Sequence, residues 1–396
     1  MARKAVRILA LLLATALFFA CCKGKNRAGG IPIINTDSLF IDLNRETLAK
    51  KAQQADALFS RLHRYGMNGV VLYAEQGQIV YEKAFGCRDL NHPKDLLTVL
   101  DTFQISSDSK MFTAEAVMML KAQHRLDYDD DVRLYIPELP YKGITIRQLL
   151  THRSGLPRYD AMADAHWPDR SKPFTNDDLL KMLAQYKPDP YGQPDASFFY
   201  NNINYALLAT VVERASQRPF EDFMRDSIFL PLGMTHSFIY SMRNETRVPP
   251  YLPITAQGHE ITQNNVWKVT NNYLNGVMGD KIMCSTVEDL LKFNNALDAH
   301  ALLPDSLQAE AFRPRSDTWT NGENYGFGWR ISQQYPDMPF HYGWWKGYRS
   351  AVIRNMAHDR FLVVLSNTSQ TLATELMWDF ITDTTLLLPK ASLLQE

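Results

Sequence analysis

Apolar residues recur along this chain with two different periods. Between Arg45 and Tyr65, Leu48, Ala52, Ala55, Leu58, Phe59 and Leu62 fall three and four apart, which predicts an amphipathic helix. The period then changes. Val70-Val71-Leu72-Tyr73 and Ile79-Val80-Tyr81 flank a turn at Glu75-Gln76-Gly77 and predict a β-hairpin. Helical spacing dominates from Ser106 to Phe312, most clearly over Met111–Ala122, Asp177–Ala184, Tyr205–Ala215 and Val287–Leu297. β-rich segments return at Phe327–Ser332, Arg349–Arg354 and Phe361–Leu365. The last two flank Ala357-His358-Asp359 as a second hairpin, and a final helix is expected over Leu372–Thr382. Strands at both ends with helices between them predict an α+β fold. Its antiparallel sheet has about five strands drawn from both chain ends, flanked by the terminal helices, with a helical lobe inserted. The cleft between sheet and lobe is where a site is expected.

The first residues follow neither period. Arg3, Lys4 and Arg7 precede an apolar run, Ile8–Ala20, that is too short to span a bilayer and reads as a secretory signal over residues 1–21. The junction Ala20-Cys21 is similar to a bacterial lipobox, which would make Cys21 the lipid-carrying N-terminus. A plain signal peptide with an incidental cysteine is the alternative, because Phe18 stands where Leu is usual and Cys22 follows directly. Residues 22–44, with Gly24, Gly29, Gly30 and Pro32, read as a tether, and 45–390 as one domain. The expected location is the periplasm or cell envelope, with a lipid anchor to a membrane.

Composition narrows the function. With 396 residues, the chain can bury a large core. A net charge of −1 and no basic run beyond the leader argue against nucleic acid as a partner. Beyond the leader only Cys87 and Cys284 remain, too few for a disulfide framework. No HExxH or CxxC pattern occurs, so neither a metal nor another cofactor is expected.

The candidate chemistry lies in three places. Ser107 and Lys110 form the only S-x-x-K of the chain, in Ile105-Ser106-Ser107-Asp108-Ser109-Lys110 at the start of an apolar-periodic helix. Three residues apart, the two side chains share one helix face. Lys110 is then a candidate to take the Ser107 proton, and the free Ser107 N–H a candidate oxyanion donor. Ser106 is the expected N-cap. The Tyr200-Asn201-Asn202 element precedes the strongest buried helix. Its phenol suits proton relay and the Asn202 amide suits substrate binding. A rival Y-x-N stands at Tyr273-Leu274-Asn275. The third place is His341-Tyr342-Gly343-Trp344-Trp345, read as an edge strand. There Gly343 admits close approach of substrate and the Trp344 N–H is a second oxyanion donor. His152 invites a base assignment, but its segment reads as a structural turn.

In this order and at these separations, the three elements resemble the beta-lactamase-related serine hydrolases: class C beta-lactamases, serine D-Ala-D-Ala carboxypeptidases and some esterases. The stretch Ile144-Thr145-Ile146-Arg147-Gln148-Leu149-Leu150-Thr151-His152-Arg153-Ser154-Gly155-Leu156-Pro157 is similar to a specific segment of that family. Ser285–Leu290 and Tyr325-Gly326-Phe327-Gly328-Trp329 are also similar. The resemblance implies a beta-lactamase/transpeptidase-like fold and acyl transfer at Ser107 on a small-molecule or peptide substrate. It assigns Lys110 and Tyr200 to proton transfer, and Asn202, His341, Gly343 and Trp344 to substrate binding. The third box departs from the class C pattern, since His341 replaces Lys and Tyr342 replaces a small hydroxyl residue. A histidine there is fully charged only below about 6.5. That argues for esters or D-amino-acid peptides over beta-lactams. A beta-lactamase, and a non-catalytic envelope binding protein on the same scaffold, are the alternatives.

Overall fold

The computed structural model describes residues 38–386, apart from 264, 317 and 320. The expected leader, Cys21 and residues 22–37 of the expected tether lie outside the described residues. Helix α1 is Ser38–Arg64, so it begins seven positions before the periodicity becomes visible at Arg45. The following hairpin pairs β1 (Gly69–Glu75) with β2 (Gln78–Phe85). Its two-residue loop, Gln76-Gly77, has φ of +48° and +73°. Positive φ at both positions gives the loop a twist that matches the strands.

The sheet has seven antiparallel strands rather than about five. After the lobe come β3 (Glu323–Tyr325), β4 (Arg330–Ser332), β5 (Phe340–Trp345), β6 (Tyr348–Asn355) and β7 (Arg360–Ser366). The spatial order is β2-β1-β7-β6-β5-β4-β3. β4 falls within the expected Phe327–Ser332 segment, whereas β3, at three residues, is too short for alternation to show. β5 pairs with β6 along its length but with β4 only at Phe340, so from His341 onward it keeps the edge expected of it among the described residues.

Alternation explains how the middle strands hold two cores. Val70, Leu72 and Ala74 of β1, with Phe361, Val363 and Leu365 of β7, face the large core shared with the helical lobe. Val71 and Tyr73, with Leu362 and Val364, face the opposite core. That second core is closed by Ala55 and Phe59 of α1 and by Met377 and Ile381 of α5 (Thr374–Thr382). A buried charged cluster fixes the same layer. Lys51 and Tyr73 both donate to Glu75 Oε1, and Arg360 Nε lies 3.3 Å from the same oxygen. Arg360 also donates to Asp383 O at 2.6 Å, tying the chain beyond α5 to β7. Breaking such a buried set is far costlier than its net contribution.

The lobe is organised on α2 (Ser109–Ala122) and α3 (Asn202–Ser216), both buried almost all round. Val287–Asp298 forms α4, which packs its Phe293 ring against Phe112 of α2 at 4.0 Å between centroids. Among the described residues no helix is long and apolar enough to cross a membrane. Cys87 and Cys284 are both free and buried.

Glu115, on the buried α2, accepts from Gln308 Nε2 at 3.3 Å while its Oε1 has no partner. Burial pushes its carboxyl up to about 7, against the opposing Gln308 bond and Arg354 charge. The unfolded chain therefore loses this proton at lower pH than the folded one. Stability from this group is full in acid, falls as pH rises toward 7, and levels off above it. The difference amounts to about 3 kcal/mol. Glu115→Gln is expected to raise Tm over the wild type by more at pH 8 than at pH 5. Thermal melts at the two pH values check this, and an equal gain at both would contradict it.

Candidate active site

The nucleophile is placed by a strand-to-helix turn. Phe103 and Gln104 pair with Ser285 and Cys284, and Ile105 N donates to Met283 O at 3.0 Å. The chain then bends sharply, with Ser106 at φ +53°, into a single 3₁₀ turn, Ser106–Asp108, that leads into α2. Ser106 is therefore not an N-cap. Its hydroxyl is buried without a partner and its backbone holds a left-handed conformation unusual for a non-glycine residue. The surroundings hold this strained residue in place. Ser109 Oγ donates to Ser106 O at 2.6 Å, and Ser350 Oγ donates to Ile105 O at 2.8 Å.

Gly343 belongs to the same arrangement. A Cβ there would lie 2.0 Å from Ser350 Oγ, 2.3 Å from Ile105 O and 3.1 Å from Ser106 Cβ. Its missing side chain lets β5 close on the turn before the nucleophile, so the close approach it permits is to the protein's own backbone. Beyond the Phe340–Arg330 bridge, β5 has no second partner strand among the described residues. Trp344 follows with its side chain 69% exposed and the Arg349 guanidinium 4.7 Å from its ring.

Lys110 is fully buried, and its Nζ makes three hydrogen bonds. It donates to Ser107 Oγ at 3.1 Å, Asn202 Oδ1 at 2.9 Å and Asp280 O at 2.7 Å. Among the described residues no carboxylate pairs with it. Two of the three partners can only accept. Once the amine gives up one proton, its two remaining N–H groups satisfy both and its lone pair turns toward Ser107, the geometry a general base needs. Asn202 thus reaches Lys110 through its oxygen, which leaves the Nδ2 hydrogens for a substrate. Sequence reasoning missed Asp280, because a backbone carbonyl leaves no residue signature. The Asp280 side chain is fixed by Tyr159 OH at 2.8 Å and by the buried Lys281 at 3.0 Å.

Tyr200 stands beside this group. The Lys110 Nζ lies 5.0 Å from its ring centroid, and its buried hydroxyl has no hydrogen-bond partner. The segment around His152 sets its position. His152 Nδ1 accepts from Asn201 N at 3.2 Å and lies 3.0 Å from Asn204 Nδ2, while Asn201 Nδ2 donates to Leu156 O at 2.8 Å. Burial, then the charges of Lys110 and Arg330, hold the imidazole well below its ordinary range, so it is neutral. This is the structural role expected for His152. The rival Tyr273 bonds instead to Asp164, while Asn275 receives the Trp345 Nε1–H at 3.4 Å.

His341 does not reach substrate as a charged group, in contrast to the expectation. It is fully buried, with Nδ1 3.0 Å from Tyr342 O and 3.3 Å from Asp108 Oδ1, and Nε2 3.1 Å from Tyr325 OH. Burial, then Arg330 and Lys110, push its pKa well below the ordinary value. Its Asp108 neighbour is pushed the other way by complete burial, toward the neutral acid. Tyr342 points to the opposite side of the strand, where its hydroxyl accepts from Trp378 Nε1 at 2.6 Å. The third box therefore contributes shape and backbone rather than a side-chain cation.

Residues 48–385 match the family model described as Beta-lactamase. Penicillin-binding protein 4* of Bacillus subtilis (strain 168) is 35% identical over 333 residues, which is 80% of this chain and 72% of that protein. The octameric penicillin-binding protein homologue from Pyrococcus abyssi shares the fold with a TM-score of 0.71 at 22% identity, covering 83% of this chain and 76% of that one. The D-amino acid amidase from Ochrobactrum anthropi SV3, complexed with L-phenylalanine amide, does so at 0.64 and 23% identity, covering 82% and 91%. With its Ser107–Lys110 pair at the mouth of α2, the chain belongs to the Beta-lactamase family and is a serine hydrolase of that fold.

Proposed function

We propose that this hydrolase acts on esters or D-amino-acid-containing peptides of the bacterial envelope, through an acyl-enzyme on Ser107. The observation that carries the reading is the set of three Lys110 hydrogen bonds, which holds the amine against Ser107 Oγ with no carboxylate paired to it among the described residues. Ser107 Oγ attacks the carbonyl carbon and its proton passes to Lys110. The N–H groups of Ser107 and Trp344 hold the oxyanion. The tetrahedral species collapses, and the leaving group departs with a proton delivered through Lys110 and Tyr200. Water then repeats the sequence on the acyl-enzyme and releases the acid. Asn202 Nδ2 orients the substrate amide.

The substrate class follows from the third box. A beta-lactam presents a carboxylate that must be gripped beside the reacting carbonyl. Here His341 is neutral and buried, and Tyr342 faces away. The exposed Trp344 and the half-buried Trp345 offer flat apolar surface instead. The B. subtilis relative is a penicillin-binding protein by name, which supports acylation by penicillin as a slow side reaction.

The test compares kcat/KM for a chromogenic cephalosporin, a short-chain aryl ester and a D-Ala-D-Ala peptide. The ester or the peptide is expected to be turned over fastest. Fastest turnover of the cephalosporin would make the protein a beta-lactamase, and no turnover of any of the three would favour a binding protein.

We also propose that the mature chain begins at Cys21, carries lipid there and stays anchored at the membrane of the cell envelope. Mass spectrometry of the mature N-terminus is expected to find an acylated Cys21. An unmodified N-terminus at another residue would refute the anchor.

A further inference from the structure

From His341 onward β5 has a partner strand on one side only among the described residues, so on its other side the turn that carries the nucleophile must hold it. Two contacts do this. At Gly343 the strand closes on the turn, where a Cβ would lie 2.3 Å from Ile105 O and 3.1 Å from Ser106 Cβ. Two residues back, about 7 Å along the strand, His341 meets Asp108, with Nδ1 3.3 Å from Oδ1. A strand held at one point can pivot about it, and a second point fixes its direction. The two points bracket the nucleophile: Gly343 rests on the residues before Ser107, and His341 on the residue after it.

Both members of the second contact are fully buried. Tyr342 O, 3.0 Å from His341 Nδ1, can only accept, so Nδ1 carries the imidazole proton and shares it with Asp108 Oδ1. Nε2 then accepts from Tyr325 OH at 3.1 Å. Burial pushes the Asp108 carboxyl toward the neutral acid, against the Ser350 hydroxyl and the charges of Lys110 and Arg330. The contact is therefore a tie between two uncharged groups. The missing charge matters, because a carboxylate on the residue next to Ser107 would oppose an oxyanion bound at the Ser107 N–H.

We infer that Asp108 and His341 are positioning residues of the oxyanion hole: their contact fixes β5 against the nucleophile turn and so sets the spacing of the Ser107 and Trp344 N–H groups. The inference rests on the reading of those two N–H groups as the oxyanion donors. It gives a role to Asp108, which the S-x-x-K spacing leaves unassigned. His341 acts on the reaction through the placing of the Trp344 N–H, three residues along the same strand.

The experiment uses the full chain with a short-chain aryl ester and with phenylboronic acid, which forms a tetrahedral adduct on a serine hydroxyl and so reports the oxyanion hole. Rates are expressed per active site, titrated with a fluorophosphonate, so that misfolded protein does not count. Asp108→Leu, which fills the space but cannot accept, is expected to lower kcat by about 10²-fold, as a misplacement on the order of 1 Å does. KM is expected to change little and the boronic acid Ki to rise in parallel with the loss of kcat. His341→Leu is expected to lose at least as much, and the double variant little beyond it, since each change removes one end of the same tie. Asp108→Asn is expected to recover most of the loss, because an amide oxygen accepts the same bond without charge. Wild-type kcat per site and wild-type Ki in Asp108→Leu would overturn the inference even if its melt fell, since the carboxyl would then serve stability alone. So would losses that add in the double variant, or an Asn variant as impaired as the Leu. A wild type that neither turns over the ester nor binds phenylboronic acid would instead remove the oxyanion reading beneath it.

Discussion

Everything at this site depends on one buried amine. A lysine side chain without exposure must have its hydrogen-bonding capacity met by protein. Lys110 meets that condition. Asn202 Oδ1 and Asp280 O take two hydrogens, and Ser107 Oγ completes the set. Much of the fold serves to keep those three partners in place. The capped start of α3 brings Asn202, the Tyr159–Asp280–Lys281 cluster fixes the carbonyl, and the strained turn at Ser106 presents Ser107.

The second layer around this amine is aromatic and neutral. His152 and His341 are held as neutral imidazoles by burial and by nearby cations, and His152 holds protein groups through Nδ1 while His341 does so through both nitrogens. They act as struts: His152 positions the Tyr200–Asn202 segment, and His341 joins β5 to Tyr325 and Asp108. Excluding charge from these positions leaves Lys110 and the Glu323-paired Arg330 as the basic groups beside the Tyr200 ring.

Much of this was legible in the amino-acid order, for identifiable reasons. The two hairpins, the terminal helices and the main lobe helices carry clean periods of two or near 3.6, and all appear where expected. Ser107 and Lys110 share a helix face, so spacing alone pairs them. Tyr200 and Asn202 were legible because a strongly apolar helix follows them. What escaped has no local signature. A strand of three residues, β3, is too short for alternation. The Asp280 carbonyl is chemically the same in any residue. Arg330 looks like a surface arginine until β4 pairs with β5 at Phe340. His341 misled because a histidine two residues before a glycine, on a strand read as an edge, looks like an exposed donor. Its burial follows from Tyr325, sixteen positions away in sequence, and from the Asp108 carboxyl on a different element.

The claim that Lys110 is the amine that takes the Ser107 proton is tested most directly by acylation itself, followed as adduct mass with a fluorophosphonate. The wild type is expected to gain one adduct and Ser107→Ala none, with little change in its melt. Lys110→Met is expected to acylate slower by about 10²–10⁴-fold. Lys110→Arg is expected to give no rescue, since its guanidinium keeps its protons. Labelling of Lys110→Met at the wild-type rate would contradict the account, because the proton would then leave Ser107 by another route.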